Sequence, residues 1–570
     1  MKKNLFLAAI FLIFALLIGC SDDSGQQSEE PDNTDTPTED TEGENDAEVS
    51  SGGSVTVASN SEPANLNPVV WATTSDTVVT HMIYDSLVIP DEELKMVGSL
   101  AKDWDLSEDG KTYTFHLNEG ITWHDGEPFT AEDVAFTFTS IADPSYDAGA
   151  YWRVEPVVGA AEYHAGEADS VEGIEVIDQN TISFTTKEAY APFISGLFIG
   201  VLPKHILGDV PPGEWEKHDS NRNPIGTGPF EFVEWKTGQY IEVAKNEDYF
   251  KEPAKLDSIF VRFGDANSML ASFMSKEIDI TAVPVSEVQS VSSLDYSELI
   301  TQSTLSVYYV GFNARNEHFG DKLVRQALAH AVDKNAIVAS ILGEYGTISD
   351  DVFPSKHWSH NPDLPTYEFD TATAESLLEE AGYAKNGDGI YEKDGQEISF
   401  TLEVPTGNKE REKTATLLKQ MWEEVGVKVE LQTQDFATLV TKLLPQTDDG
   451  KQREVTADDF AAYILGFGVE ADPDEYRSYF GSSYMPPNGY NFVGYSDPDV
   501  DEMLEAQTLE VDLDARQQLI WDVGQKLAED EIWIPLYEQD NPFVFNKRVA
   551  GFEPDFRGIT FTAENWSVTE

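Results

Sequence analysis

The chain of 570 residues contains a single cysteine, Cys20. No intrachain disulfide can form, so its stability must come from apolar cores and hydrogen bonds. Cations are scarce: 37 Lys and Arg face 104 Asp and Glu, for a formal charge of -67. Without a cationic footprint a nucleic-acid partner is excluded, as is docking to anionic lipid through basic patches. Of ten histidines only His357 and His360 sit close together, in "HWSH" between Pro354 and Pro362. That setting reads as a loop, and a metal centre needs three or four convergent ligands; no metal and no cofactor is expected. "YAKNGDGIYEKDG", aligned to a calcium loop on Asn386, Asp388 and Gly389, puts Ala384 and Gly395 where acids are required, so it reads as a Gly-rich turn before a hairpin. G-x-S-x-G, H-E-x-x-H and a cysteine–histidine nucleophile are all missing, and the acids are too numerous to single out a glycosidase pair. The chain is not expected to be an enzyme.

What is present begins at the amino end. Lys2 and Lys3 precede an apolar run from Leu5 to Ile18, about 14 residues where a membrane-spanning helix needs about 20. A basic start before a short apolar stretch is an export signal. Leu17-Ile18-Gly19-Cys20 resembles the lipobox of bacterial lipoproteins, which implies cleavage before Cys20 and lipidation of its thiol; plain secretion or a short anchor is the alternative. From Ser21 to Ser54 there are twelve acids, no cation and one large aliphatic residue, Val49. Such a segment cannot bury enough apolar area to offset its ordering entropy and is expected to be a disordered spacer. Most of the negative charge nevertheless falls on residues 55–570, as suits a salty or alkaline exterior where cations screen it.

At this length two or three domains are expected. "SVTVAS" (54–59) and "KTYTFHLNEGITW" alternate as half-buried strands, the second with Tyr113, Phe115 and Leu117 on one face. Thr130 with Asp133 marks a helix start before Val134, Phe138 and Ile141. Asp321, Asp333 and Asp370 open further helices, and Leu519, Ile520, Val523 and Leu527 stripe another. Strand-prone pieces such as "EISFTLEVP", "VKVELQTQ" and "AAYILGF" lie between, which argues an α/β or α+β fold.

Four stretches together resemble the family 5 extracellular solute-binding proteins, the peptide and nickel receptors of ABC importers. They are "LAKDWDLSEDGKTYTFHLNEGITWHDGEPFTAEDVAFTF", "PIGTGPFEFVEW", "YVGFNARNEHFGDKLVRQALAHAVDK" and "GYSDPDVDEMLEAQ". The resemblance implies a two-lobed periplasmic-binding-protein-like α/β fold of the class II, or cluster C, type, with an inserted domain and a hinged cleft. It implies a first-lobe main domain of 55–80, 203–305 and 534–570, an inserted domain of 81–202 and a second lobe of 306–533. The crossings fall at "LSVYYVGF" and "IPLYEQD", and Gly226, Gly228 and Pro229 read as a tight turn into a strand.

The resemblance also implies a receptor that grips what all short peptides share: amides, amine and carboxylate. Amides can be met by a strand edge, and a buried amine needs a carboxylate. Within "YILGFGVEADPDEYRSYF" the expected amine anchor is Asp472, with Glu470 second and Phe467 as an apolar wall; a solvated surface role for the acids is the alternative. Tyr309 and Asn313 at the crossing, and Trp71 after the first strand, are further candidates, each with a packing role as its alternative. The expected partners are short peptides, an ABC permease and its ATPases, and the outer face of a Gram-positive-type cell membrane through Cys20, the receptor itself being a monomer. Nickel chelate, haem or oligosaccharide cargo, or a peptide-sensing role, are the rival readings on the same fold.

Overall fold

Cap residues and apolar stripes become helices in the computed structural model, which describes residues 52–70, 73–447 and 449–569. The leader, Cys20, residues 21–51 of the acidic spacer and Trp71 lie outside the described residues, while Ser54, the last residue assigned to the spacer, opens the first strand. Thr130 accepts from the first turn of helix Ala131–Ile141 while Asp133 accepts from the Thr130 N–H at 2.9 Å. Asp321 caps Lys322–His330, Asp370 caps Thr371–Glu380 and Asp512 caps Leu513–Asp530. Each such cap stabilises its helix by about 1 kcal/mol. Among the described residues no helix is long and apolar enough to cross a membrane.

Three sheets carry the fold. A seven-stranded sheet runs in the order Ser297–Gln302, Asn541–Asn546, Ile280–Ala282, Ser54–Ser59, Ser258–Phe263, Tyr240–Lys245 and Phe230–Lys236. Its strands come from three separate parts of the sequence. A four-stranded antiparallel sheet joins Ala101–Leu106, Thr112–Leu117, Thr181–Thr185 and Ile174–Asp178. In the second of these strands Tyr113, Phe115 and Leu117 are buried in alternation, as their period of two requires. Both sheets feed one continuous apolar core. The third sheet has six strands, ordered Gly346–Ile348, Trp533–Gln539, Ser306–Phe312, Ala462–Gly468, Ser399–Pro405 and Lys428–Gln434. Two further cores, around Trp422 and around Trp533, enclose it.

Only residues 303–305 and Asp540 separate the strands of the seven-stranded sheet from those of the six-stranded one. The two links lie together, since the Thr304 hydroxyl donates to the Gln539 carbonyl at 2.9 Å. This corrects the placement of 534–539 in the first lobe. That stretch pairs with Ser306–Phe312 and Gly346–Ile348, and the chain returns only after Gln539.

The turn "IGTGPF" is fixed by close approach. A Cβ at Gly226 would overlap the Ile83 carbonyl oxygen, and one at Gly228 would crowd the Met82 and Ile83 backbone. Strand Phe230–Lys236 follows directly. Residues 386–397 form a turn and short hairpin.

Candidate ligand-binding cleft

A chamber of about 490 Å³ lies between the two lobes. His81 and Asp85 line it from the first lobe, Arg153 and Phe198 from the segment carrying the four-stranded sheet, and Glu470 and Ala471 from the second lobe. A second chamber of about 690 Å³ shares Ser195 and Glu470 with it and has an aromatic wall of Trp152, Tyr190, Tyr479 and Tyr490. Trp152 and Tyr490 are 44% and 47% exposed, high for rings of this size. A third chamber, about 390 Å³, shares Thr77 and His81 with the first.

The second-lobe wall is the chain leaving strand Ala462–Gly468. The Leu305 carbonyl accepts from the Val469 N–H at 2.7 Å, holding the strand end against the hinge segment. Asp472 then caps the short turn Pro473–Glu475 by accepting from the Asp474 N–H at 2.9 Å. Its two oxygens also take both ends of the Arg516 fork, at 2.6 and 2.7 Å. Arg516 donates to Gln507 Oε1 as well, and the Gln507 amide donates to Asp474 at 2.7 Å. Asp474 further receives Arg477 and, from the other lobe, the Tyr190 hydroxyl at 2.7 Å. Burial, with the neighbouring Asp474 charge next, pushes the Tyr190 phenol far above its ordinary range, so the hydroxyl stays a donor. With almost no exposure at Arg516, this network makes Asp472 a structural counter-ion.

Glu470 is different. Its side chain is exposed to both chambers and no cation lies within ion-pair distance of it among the described residues. Only its backbone is held. The Glu470 carbonyl accepts from His357 Nε2 at 3.0 Å, and the Ala471 carbonyl accepts from Trp358 Nε1 at 2.9 Å. His357 Nδ1 accepts from the Ser359 N–H, and burial lowers the imidazole pKa to about 4, so it acts as a neutral donor. "HWSH" is therefore a brace for the Glu470–Ala471 backbone. Beside Glu470, burial and then the Glu470 charge raise the Glu475 carboxyl to about 8.

On the first-lobe side Asp85 accepts from Tyr249 at 3.0 Å and Thr227 at 3.1 Å, with Lys251 Nζ 3.5 Å away. Burial raises its carboxyl while Lys251 opposes the shift. Arg557 is tied to Asp555. His81 is half-buried with its Nδ1 cut off from solvent, and desolvation lowers its pKa to about 4, leaving a neutral ring whose Nδ1 has no partner among the described residues.

Of the residues chosen from sequence, only Glu470 and Asp472 reach the chambers, and Asp472 arrives already paired. Phe467 is a correction: it is 8% exposed and packs on Tyr476, Tyr479 and Trp533 inside the second lobe. Tyr309 stacks on Trp533 at 3.6 Å between ring centroids and is also core. Asn313 is fully buried and donates to the Thr456 and Phe460 carbonyls, so it braces the chain. Trp71 and Cys20 lie outside the described residues. Arg153, His81 and Tyr190 were missed. The one available signal for Arg153 was a lone cation amid aromatics in "AYWRVEP", in a chain poor in cations.

Residues 95–486 match the family described as bacterial extracellular solute-binding proteins, family 5 middle. The chain is 30% identical over 526 residues to oligopeptide-binding protein AppA of Bacillus subtilis, covering 90% of this chain and 91% of that one. It is 28% identical over 512 residues to heme-binding protein A of Haemophilus influenzae, covering 86% and 88%. The solved structure of AppA in complex with a nonapeptide superimposes with a TM-score of 0.73 at 29% identity, over 92% of this chain and all of that one. NikZ of Campylobacter jejuni with Ni(L-His) does so at 0.74 and 27% identity, over 90% and 99%. A two-lobed mixed α/β architecture, a cleft between the lobes and these matches along most of its length agree: the chain belongs to the family 5 bacterial extracellular solute-binding proteins.

Proposed function

We propose that this protein is an extracellular receptor that captures short peptides between its lobes and delivers them to an ABC permease driven by its ATPases. The observation that carries the reading is Glu470, a carboxylate without an ion-pair partner where two inter-lobe chambers meet. A peptide amine needs such a counter-charge once the lobes close, because an unpaired buried charge costs several kcal/mol. The chambers have the size of small-molecule sites and are wide enough for varied side chains among water. Glu470 is thus the amine anchor, and Asp472 shapes the loop that presents it.

Nickel-chelate or haem cargo is the second reading, favoured by one observation. The neutral His81 with an unpartnered Nδ1 is a donor suited to a chelated metal. Native mass spectrometry of the purified protein with its co-purified ligand separates the two. A mixture of short peptides supports the peptide receptor, and a single metal complex overturns it.

Anchoring by acylation of Cys20 is part of the proposal. Two or more acyl chains give stable attachment where one is marginal, and the acidic segment after Cys20 serves as a leash. Labelled fatty acid should enter the wild-type protein and not a Cys20→Ser variant; equal labelling would remove the anchor. A gene neighbourhood encoding permeases and ATPases fits import, whereas an adjacent histidine kinase would indicate sensing.

A further inference from the structure

Arg153 is the unmatched charge on the opposite wall of the same chamber. It sits in the one-turn helix Tyr151–Arg153, beside Trp152, whose ring its guanidinium overlies at 4.4 Å. Nη1 donates to the Gly196 carbonyl at 3.0 Å and weakly to that of Phe198 at 3.4 Å. These two bonds fix the plane of the group. Nε is cut off from solvent and donates to nothing, and no carboxylate lies within ion-pair distance among the described residues. The other cations of the chamber, Lys251 and Arg557, are each held by an aspartate, Asp85 and Asp555. Burial pulls the Arg153 pKa down, and the Glu470 charge pulls it partly back up. A guanidinium stays protonated through such a shift.

An arginine fixed through Nη1, with Nε enclosed by protein, keeps Nη2 as an unspent charged donor for a carboxylate. We infer that Arg153 binds a carboxylate of the cargo, and that this carboxylate lies within one or two residues of the amine held by Glu470. The inference rests on the peptide-receptor reading, since Glu470 supplies the reference point. Both residues line the same chamber, so opposite charges on one short stretch of ligand are read together. Two kinds of ligand carry that chemistry: peptides with Asp or Glu at the amino end, and dipeptides whose own carboxyl terminus falls there. A neutral residue in that place leaves the guanidinium without its anion, and the cleft discriminates by that deficit.

Calorimetric titration of the purified protein with matched peptides tests this. The probes are Glu-Ala-Ala-Ala against Gln-Ala-Ala-Ala, and Ala-Ala against its carboxyl-terminal amide. The wild-type protein should bind the charged member of at least one pair about tenfold or more tightly than its neutral partner, and the pair that shows the difference identifies the source of the carboxylate. In Arg153→Gln the ratio should fall to near one, and Arg153→Lys, which keeps the charge but loses the planar group held by the Gly196 and Phe198 carbonyls, should give an intermediate ratio. Equal affinities within both pairs in the wild-type protein, with all four ligands binding, overturn the inference while leaving the peptide receptor standing. A preference that survives in Arg153→Gln overturns it equally. If none of the four binds, the peptide reading fails and the inference with it. Because the decisive ratio is measured first on the unaltered protein, a variant that fails to fold does not shield the inference.

Discussion

The two walls of the cleft solve the same electrostatic problem with opposite signs. On the second-lobe wall Asp472 and Asp474 are consumed by Arg516, Arg477, Gln507 and Tyr190, and Glu470 is left over as an exposed carboxylate beside Glu475, whose pKa burial raises to about 8. On the first-lobe side of the first chamber Lys251 and Arg557 are consumed by Asp85 and Asp555, and among the described residues Arg153 is the cation left over. In a chain this acidic the number of carboxylates near a cleft says little. The two groups proposed to bind ligand, Glu470 and Arg153, share the absence of an ion-pair partner among the described residues.

The largest effect expected from breaking this contrast is structural. Asp472→Ala strands Arg516, which is almost fully buried, and should cost roughly 3–5 kcal/mol of stability in denaturant titration. A loss under about 1 kcal/mol would mean that Asp472 is as free as Glu470. Next, Glu470→Gln should leave the unfolding midpoint nearly unchanged and weaken peptide affinity about tenfold or more in calorimetry. The reverse pattern, affinity lost at Asp472 and kept at Glu470, would exchange their roles. Tyr190→Phe removes the bond between the lobes to Asp474. A net loss of about 1 kcal/mol in the closed arrangement should weaken ligand about fivefold, with a more open average shape in small-angle scattering. The smallest effect concerns Glu475. Its folded pKa of about 8 lies above the ordinary 4.5, so its stabilising contribution is complete below pH 4.5 and is lost as pH rises through 8. The melting temperature should decline as pH rises from 4.5 to about 8, and Glu475→Gln should flatten that decline; parallel profiles would show that the folded carboxyl is not raised.

Local features of the fold were legible in the sequence because their causes are local. Thr130 with Asp133, Asp321 and Asp370 announce helix starts within a few residues of themselves, and the alternation at 113–117 announces a strand with one buried face. That the loop after "YILGFG" reaches the cleft chambers was legible for the same reason: it ends a buried strand. What the sequence could not separate was Glu470 from Asp472, two residues apart and chemically alike. Their difference is made by Arg516, 44 positions along the chain, a pairing that leaves no periodic trace. Phe467, Tyr309 and Asn313 failed as ligand contacts for a related reason. A strand residue shows which face it takes, but not whether that face meets the cleft or the core around Trp533. The same blindness put 534–539 in the wrong lobe, since a strand's partners are set by the whole topology.

The shortness of the two connections between the lobes has a consequence for motion. Residues 303–305 and Asp540 lie side by side and are tied by Thr304, so the second lobe can turn on them much as a door turns on adjacent pins. Little chain is available to be ordered or released when it swings, and the conformational entropy charged to each closure stays small. Bound and empty receptors then differ chiefly in one angle. Under the proposed function, a membrane complex inspecting the two lobe surfaces would have a single variable to read, whatever the sequence of the peptide inside.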